Sequence, residues 1–124
     1  MRWIVDGMNV IGSRPDGWWR NRHRAMTTLV DCLERWALRD GVEVTVVFER
    51  PPSPPIESSV ITVAHAPTAA PNSADDEIVR MVSCDPHPEE IRVATSDRVL
   101  SDRVRSAHAS VYPAERLRGM IDPR

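Results

Sequence analysis

The chain has 124 residues, a length that suits one domain with a single hydrophobic core. Its hydrophobic content of 41% and charged content of 27% are ordinary for a soluble globular protein. All 16 basic residues are arginine. Because P-loop nucleotide hydrolysis and Schiff-base catalysis both need a lysine, the composition excludes these two classes. The net charge of −2 also argues against a general nucleic-acid coating protein.

Location and partners can be predicted from the same composition. No apolar run approaches the ~20 residues that are needed to span a bilayer, and the N-terminus leads straight into a strand that carries Asp6, unlike a signal peptide. Cys32 and Cys84 are isolated and lack metal-ligand spacing, which is typical of reduced thiols. We therefore expect one cytoplasmic domain over residues 1–124 with no membrane partner.

The first predicted element is a buried strand within Met1–Asn9. Residues 3–5 form an unbroken apolar run, and Asp6 and Gly7 follow it directly. Such a run is typical of a parallel strand that is covered on both faces. An acid just beyond such a strand opens onto the crevice where α/β sheets bind ligands.

A loop, a helix and a second strand are predicted next. Residues 10–19 contain two glycines and a proline, which favour a loop. Residues 20–39 have the apolar spacing of an amphipathic helix, with Gly41 as its C-terminal cap. Val42–Phe48 is the strongest strand by β-branched content, and Glu49 follows it. The prolines within residues 50–55 exclude a helix or a central strand there.

The second half continues the alternation of strands and helices. Residues 59–65 are predicted to form a shorter, weaker strand at the edge of the sheet. Its direction stays open, because the connection before it is near the minimum length for a crossover between parallel strands. After a loop over 66–72, Ser73 is the expected N-cap of a helix that runs to about residue 83. A strand over 91–94, a helix over 98–107, a strand over 109–112 and a tail with one helical turn follow. This alternation predicts an α/β fold with a mostly parallel sheet and helices on both faces.

Several carboxylates should meet at one edge of this sheet. Asp6, Glu49 and Asp97 each follow a predicted strand, and the carboxyl ends of parallel strands share an edge. Asp75 shares the apolar face of its helix at the N-terminal end, which lies at the same edge. Asp76 is turned about 100° away, towards Arg80 and solvent. It suits helix capping and compensation of the helix dipole better.

Converging carboxylates need compensation. Two of them at about 4 Å repel by roughly 4 kcal/mol at an effective dielectric of 20. Either arginines or a divalent cation must offset this, and an all-oxygen site suits Mg²⁺ or Mn²⁺. These ions activate water and clamp phosphoryl oxygens in nuclease-type hydrolysis. The four histidines are scattered away from the acids, which argues against zinc.

Four of the polar residues carry alternatives. Asp6 is otherwise a turn acid before Gly7, and Asp97 is otherwise the N-cap of the helix that follows it. Asn9 either stabilises the turn after the first strand or orients a carboxylate, a metal-bound water or a phosphate. Asp102 either pairs with Arg98 or Arg105 on its helix, which the spacing favours, or supports the metal site together with Asp76 and Glu49.

A basic, aromatic loop should border this edge. Arg14, Trp18, Trp19 and Arg20 lie shortly after the Asp6 strand, and single-stranded RNA is bound by bases stacking on aromatic faces beside guanidinium groups. The alternative is that one or both tryptophans anchor the loop to the following helix. Arg98, at the start of a helix, can meet a phosphate.

Three motifs in order carry a family resemblance. VDGMN, SADDEI and ATSDRVL, at these separations, resemble the NYN domains of the YacP-like group in the PIN-like nuclease superfamily. The resemblance implies a three-layer PIN-like fold with sheet order 3-2-1-4-5 and a metal-dependent endoribonuclease site. It carries over Asp6, Asp75 and Asp97 as acids and Asn9 as the motif asparagine. Related chains often have VFDG after the second strand, whereas this chain has Phe48, Glu49 and Arg50.

Two functions follow as hypotheses. The first is an endoribonuclease that uses Mg²⁺ or Mn²⁺ at Asp6, Asp75 and Asp97. The second is an RNA- or ribosome-binding module that binds through the arginine and tryptophan loop without turnover. Phosphotransfer on a small molecule is disfavoured by the absence of lysine.

Overall fold

Five parallel strands form one sheet at the centre of the fold. The computed structural model describes residues 1–67, 70 and 72–122. The sheet order is β3-β2-β1-β4-β5, as the family resemblance implies, so β1 lies between β2 and β4. The strands are β1 (Arg2–Asp6), β2 (Glu43–Phe48), β3 (Thr62–His65), β4 (Ile91–Ala94) and β5 (Ser110–Tyr112).

Helices cover both faces and complete the expected three layers. They are α1 (Gly7–Ile11), α2 (Arg22–Asp40), α3 (Ser73–Cys84), α4 (Arg98–Ser106) and α5 (Ala114–Ile121), with 3₁₀ turns at Trp18–Arg20 and Pro88–Glu90. Successive strand residues point to opposite faces. Trp3 and Val5 therefore belong to the core under α1, α2 and α5, whereas Ile4 belongs to the core under α3 and α4.

Most of the predicted elements are confirmed. The amphipathic helix begins at Arg22, capped by the Asn21 side chain, which accepts a hydrogen bond from the Arg24 N–H at 3.0 Å. It ends at Gly41, whose φ of 65° is the left-handed conformation that favours glycine. The third strand, whose direction the sequence left open, is parallel to β2 and begins at Thr62.

Three details of the prediction are wrong. Residues 10 and 11 belong to α1 rather than to a loop, and the C-terminal tail holds an eight-residue helix rather than one turn. Ser73 is the first residue of α3, and Asn72, with φ of 63°, occupies the N-cap position. The Ser73 hydroxyl instead donates to the Glu49 carbonyl at 3.4 Å. Of the predicted loop over 66–72, residues 68, 69 and 71 lie outside the described residues.

The turn from β1 into α1 is tightly packed. A Cβ atom on Gly7 would lie 2.5 Å from Cε1 of Phe48 and 3.1 Å from the Val47 carbonyl oxygen. Glycine is therefore required here for close approach, and α1 begins directly after Asp6. The tight turn fixes the position of Asp6 at the carboxyl edge of the sheet. Within the described ranges, no helix has the length and apolar character needed to cross a membrane.

Candidate active site

Asp6 lies at the end of the central strand and is only 6% exposed. Its Oδ2 accepts a hydrogen bond from the Thr95 hydroxyl at 2.9 Å. The same hydroxyl oxygen accepts from the Asp97 N–H at 3.1 Å. Thr95, itself buried, therefore links two of the predicted acids across the β1–β4 boundary.

Burial makes the ionised form of Asp6 costly. It raises the pKa of Asp6 from 3.8 to about 7, and the negative charges of Asp75 and Asp97 act in the same direction. The hydrogen bond from Thr95 opposes this rise in pKa. The backbone N–H of Asn9 also lowers the pKa, although the Asp6 side chain forms no capping hydrogen bond with α1. A cation beside Asp6 would favour its charged form.

Asp75 reaches the same edge from the first turn of α3. It is half-buried and borders the buried face of α3, where Ala74 rather than Asp75 is the buried residue nearest the N-terminus. Its pKa is raised by burial and by the negative charge of Asp97, while Arg103 lowers it. Asp75 and Asp97 therefore lie close enough to repel each other.

Asp97 also has a structural task. Its Oδ1 accepts a hydrogen bond from the Leu100 N–H at 2.8 Å, which makes it the N-cap of α4. Its backbone carbonyl accepts from the Ser101 hydroxyl at 2.7 Å. The cap holds the half-buried carboxylate in a fixed orientation at the start of the helix.

Asn9 holds the turn that carries Asp97. Its Oδ1 accepts from the Ser96 N–H at 2.8 Å, and the Ser96 hydroxyl in turn donates to Glu115 at 2.6 Å and accepts from the Ala114 N–H at 2.9 Å. Sequence reasoning missed Ser96 and Glu115. The position of Ser96 directly before Asp97 in the third motif is a signal that could have identified it, but no spacing signal connects Glu115 to the site.

The ligand oxygens of Asp6, Asp75 and Asp97 do not all lie within 4.8 Å of one another. Among the described residues, the group whose ligand atoms all lie within 4.8 Å of one another is His87, Glu89 and Glu90, not the predicted acids. That group is exposed and precedes β4, so it lies at the opposite edge of the sheet. Asp6, Asp75 and Asp97 do influence one another electrostatically, since the negative charges of Asp75 and Asp97 raise the pKa of Asp6.

The possible supporting acids have different positions. Asp76 pairs with Arg103 of α4 at 2.9 Å. The expected orientation of Asp76 towards Arg80 is wrong, because Arg80 pairs with Glu77 at 2.7 Å. Glu49 is exposed, and its negative charge raises the pKa of Asp75. Asp102 is exposed, and its carboxylate lies 3.7 Å from the Arg105 guanidinium. The ion-pair alternative for Asp102 therefore holds.

A profile of the YacP-like NYN domain matches residues 3–123. The chain belongs to the YacP-like NYN family. This family lies within the PIN-like nuclease superfamily, which implies an RNase-type function.

Two solved structures resemble this NYN domain. One is Rae1 (YacP) from Bacillus subtilis, with a TM-score of 0.79 and 22% identity over 100% of this chain and 76% of that one. The other is a tryptophan-to-leucine mutant of Rae1 from the same organism, with a TM-score of 0.74 and 24% identity over 99% of this chain and 77% of that one. At these identities the likeness confirms the fold alone. The search of curated proteins found no match.

The loop of the NYN domain between α1 and α2 exposes one tryptophan. Trp19 is 51% exposed, and the Arg20 guanidinium lies 5.9 Å from its ring centroid. Trp18 is half-buried, packs against the core and meets the Trp19 ring edge-on at 6.0 Å. The anchoring alternative therefore applies to Trp18, whereas Trp19 is accessible to a ligand.

The two other predicted RNA-binding arginines differ. Arg98 is exposed, directly follows Asp97, and forms no ion pair within the part of the chain that the structure describes. Arg14 instead donates to the carbonyls of Arg118 and Asp122 and pairs with the Asp122 carboxylate at 3.7 Å. The structure thus gives Arg14 a packing role against α5, a contact between distant segments that loop composition could not reveal.

Proposed function

We propose that this NYN domain is a metal-dependent endoribonuclease in which Asp6, Asp75 and Asp97 hold Mg²⁺ or Mn²⁺. The observation that carries the proposal is the delivery of three mutually repelling acids to one sheet edge by β1, α3 and the β4–α4 turn. A fold gains no stability from such repulsion, so a ligand that removes it is the expected reason for the arrangement.

The donor set fits a hydrated hard cation. All the candidate ligands are carboxylate oxygens, and Mg²⁺ in proteins keeps several waters while binding one or two carboxylates directly. Asp6 forms no ion pair among the described residues, and Arg103, which acts on Asp75, is already paired with Asp76. Arginine compensation is therefore incomplete, which favours the cation.

The residues around the acids preserve their geometry. When bound, the cation would supply a nucleophile at neutral pH and offset charge on the phosphoryl oxygens. The Thr95 hydroxyl donates a hydrogen bond to the Asp6 carboxylate and accepts one from the backbone N–H of Asp97. Asn9 ties the same turn to α1 through Ser96. Asp6 and Asp97 are thus oriented before RNA arrives, which avoids a reorganisation cost during the reaction.

RNA would approach across the exposed side chains beside this edge. Trp19 offers a stacking face with Arg20 over it, and base stacking on an aromatic ring contributes about 1–3 kcal/mol per base. Arg98, at the N-terminus of α4, is placed to meet a phosphate next to Asp97.

The test compares RNA cleavage by matched variants in Mn²⁺ and in EDTA. Wild type should cleave RNA that contains single-stranded segments only with the metal, and Asp6→Asn should lose at least a hundredfold in rate. Asp31→Asn is the control, because Asp31 is an exposed acid on α2 and the charge change is identical. Equal cleavage by wild type and Asp6→Asn would refute the site. Binding by wild type without any cleavage would favour the RNA-binding module.

A further inference from the structure

A groove of about 480 Å³ lies beside the candidate active site at the carboxyl edge of the sheet. Its inner wall is apolar and includes Met8, Met26 and Phe48, and its rim carries Arg22 and Arg50. The volume is within the range of small-ligand pockets, about 300–1,000 Å³. An apolar interior with a charged rim suits an aromatic ligand that carries negative charge outside its ring.

Two of the residues that line the groove also contact or influence the neighbourhood of the acids. The Phe48 ring packs so closely on Gly7 that no Cβ could be placed there, and Gly7 directly follows Asp6. On the other side, Glu49 both lines the groove and adds negative charge to Asp75. A ligand in this groove would therefore lie near a phosphodiester held at the acids.

The rim of the groove carries two positively charged side chains. Arg22 and Arg50 are both exposed, and within residues 1–67, 70 and 72–122 neither guanidinium forms an ion pair with a carboxylate. Arg22 does lie over the Trp18 ring, with 5.3 Å to its centroid, a contact that leaves its charge available. Guanidinium groups bind phosphate and stack on planar bases.

We propose that the groove binds one unpaired nucleobase of the RNA strand, with the phosphates next to it held by Arg22 and Arg50. The proposal rests on the proposed nuclease function and specifies its substrate class. A base within a duplex is stacked and paired, so it cannot enter the groove without leaving the helix. The substrate is therefore RNA that is single-stranded, looped or bulged at the cut.

The test measures binding of a nine-nucleotide single-stranded RNA to the wild-type protein in EDTA, with one abasic nucleotide placed at each position in turn. A base subsite in the groove predicts at least tenfold weaker binding when one position, or two neighbouring positions, is abasic. This loss should persist in a Trp19→Ala variant, which removes the exposed stacking face outside the groove. The Arg22→Ala, Arg50→Ala double variant should bind the unmodified strand at least tenfold more weakly. Arg35→Ala on the same helix is the control and should stay within twofold.

Parallel cleavage of the same strands in Mn²⁺ separates this proposal from the nuclease assignment. A position-specific abasic effect without cleavage supports the groove and refutes the nuclease. Cleavage with uniform binding at every abasic position refutes the groove and supports the nuclease, since only phosphates would then be recognised. Absence of both binding and cleavage refutes both. Equal weakening by Arg35→Ala and the double variant would also overturn the groove.

Discussion

Replacing Asp6 with asparagine should stabilise the metal-free protein, and increasingly so as the pH rises. The carboxyl group is buried, and its pKa is raised from 3.8 to about 7 in the folded state. A carboxyl whose pKa rises on folding contributes its full stability below the unfolded value and loses it as the pH increases through the folded value. The penalty therefore develops between pH 3.8 and about 7.

The magnitude follows from the same pKa difference. A change from 3.8 to about 7 corresponds to about 4 kcal/mol of unfolding free energy above pH 7. For a chain of 124 residues, an unfolding entropy of ~2.1 cal/mol/K per residue converts this into a rise in Tm of roughly 15 °C. Asparagine retains an oxygen that can accept from Thr95, so the hydrogen bond at 2.9 Å is kept.

The assay is thermal unfolding in EDTA, followed by circular dichroism at several values between pH 4 and pH 8. Asp6→Asn should match wild type near pH 4 and melt well above it at pH 8. Asp31→Asn, which removes an exposed charge, should follow wild type throughout. Parallel Tm curves for wild type and Asp6→Asn across this range would show that burial does not penalise the Asp6 charge.

Three other substitutions test separate contacts. Gly7→Ala places a Cβ 2.5 Å from the Phe48 ring and should cost about 1–3 kcal/mol, so an unchanged Tm would contradict the close approach. Thr95→Val removes the hydroxyl that supports the Asp6 carboxylate and should lower Tm more at pH 8 than at pH 4, whereas equal losses would mean that the hydrogen bond does not stabilise the charged form. Asp102→Asn should leave the rate of RNA cleavage within twofold, because this exposed acid pairs with Arg105 and is not one of the three proposed metal ligands. A tenfold loss of rate would show that Asp102 takes part in the active site.

The larger elements could be predicted because their patterns are local. Apolar periodicity identified α2, and β-branched residues identified β2, each within two residues of its bounds. The short helix α1 was missed because one turn of helix after Gly7 has no periodicity to detect. The direction of β3 depended on pairing with β2, a long-range contact that residue spacing does not encode.

The candidate site shows the same division. The acids that follow strands could be placed at one edge, because parallel strands bring their carboxyl ends together. Partners across the fold could not be predicted: Asp76 pairs with Arg103, and Arg14 packs on α5. Local spacing instead suggested Arg80 for Asp76, and loop composition suggested RNA for Arg14.

Binding of Mn²⁺ at pH 8, measured by electron paramagnetic resonance, tests the metal site most directly. Wild type and Asp31→Asn should bind the ion, and asparagine at position 6, 75 or 97 should each weaken binding at least tenfold. His87→Ala should have no effect, because His87 belongs to the exposed group at the other edge of the sheet. Loss of binding in His87→Ala, with retention in Asp6→Asn, would contradict the account.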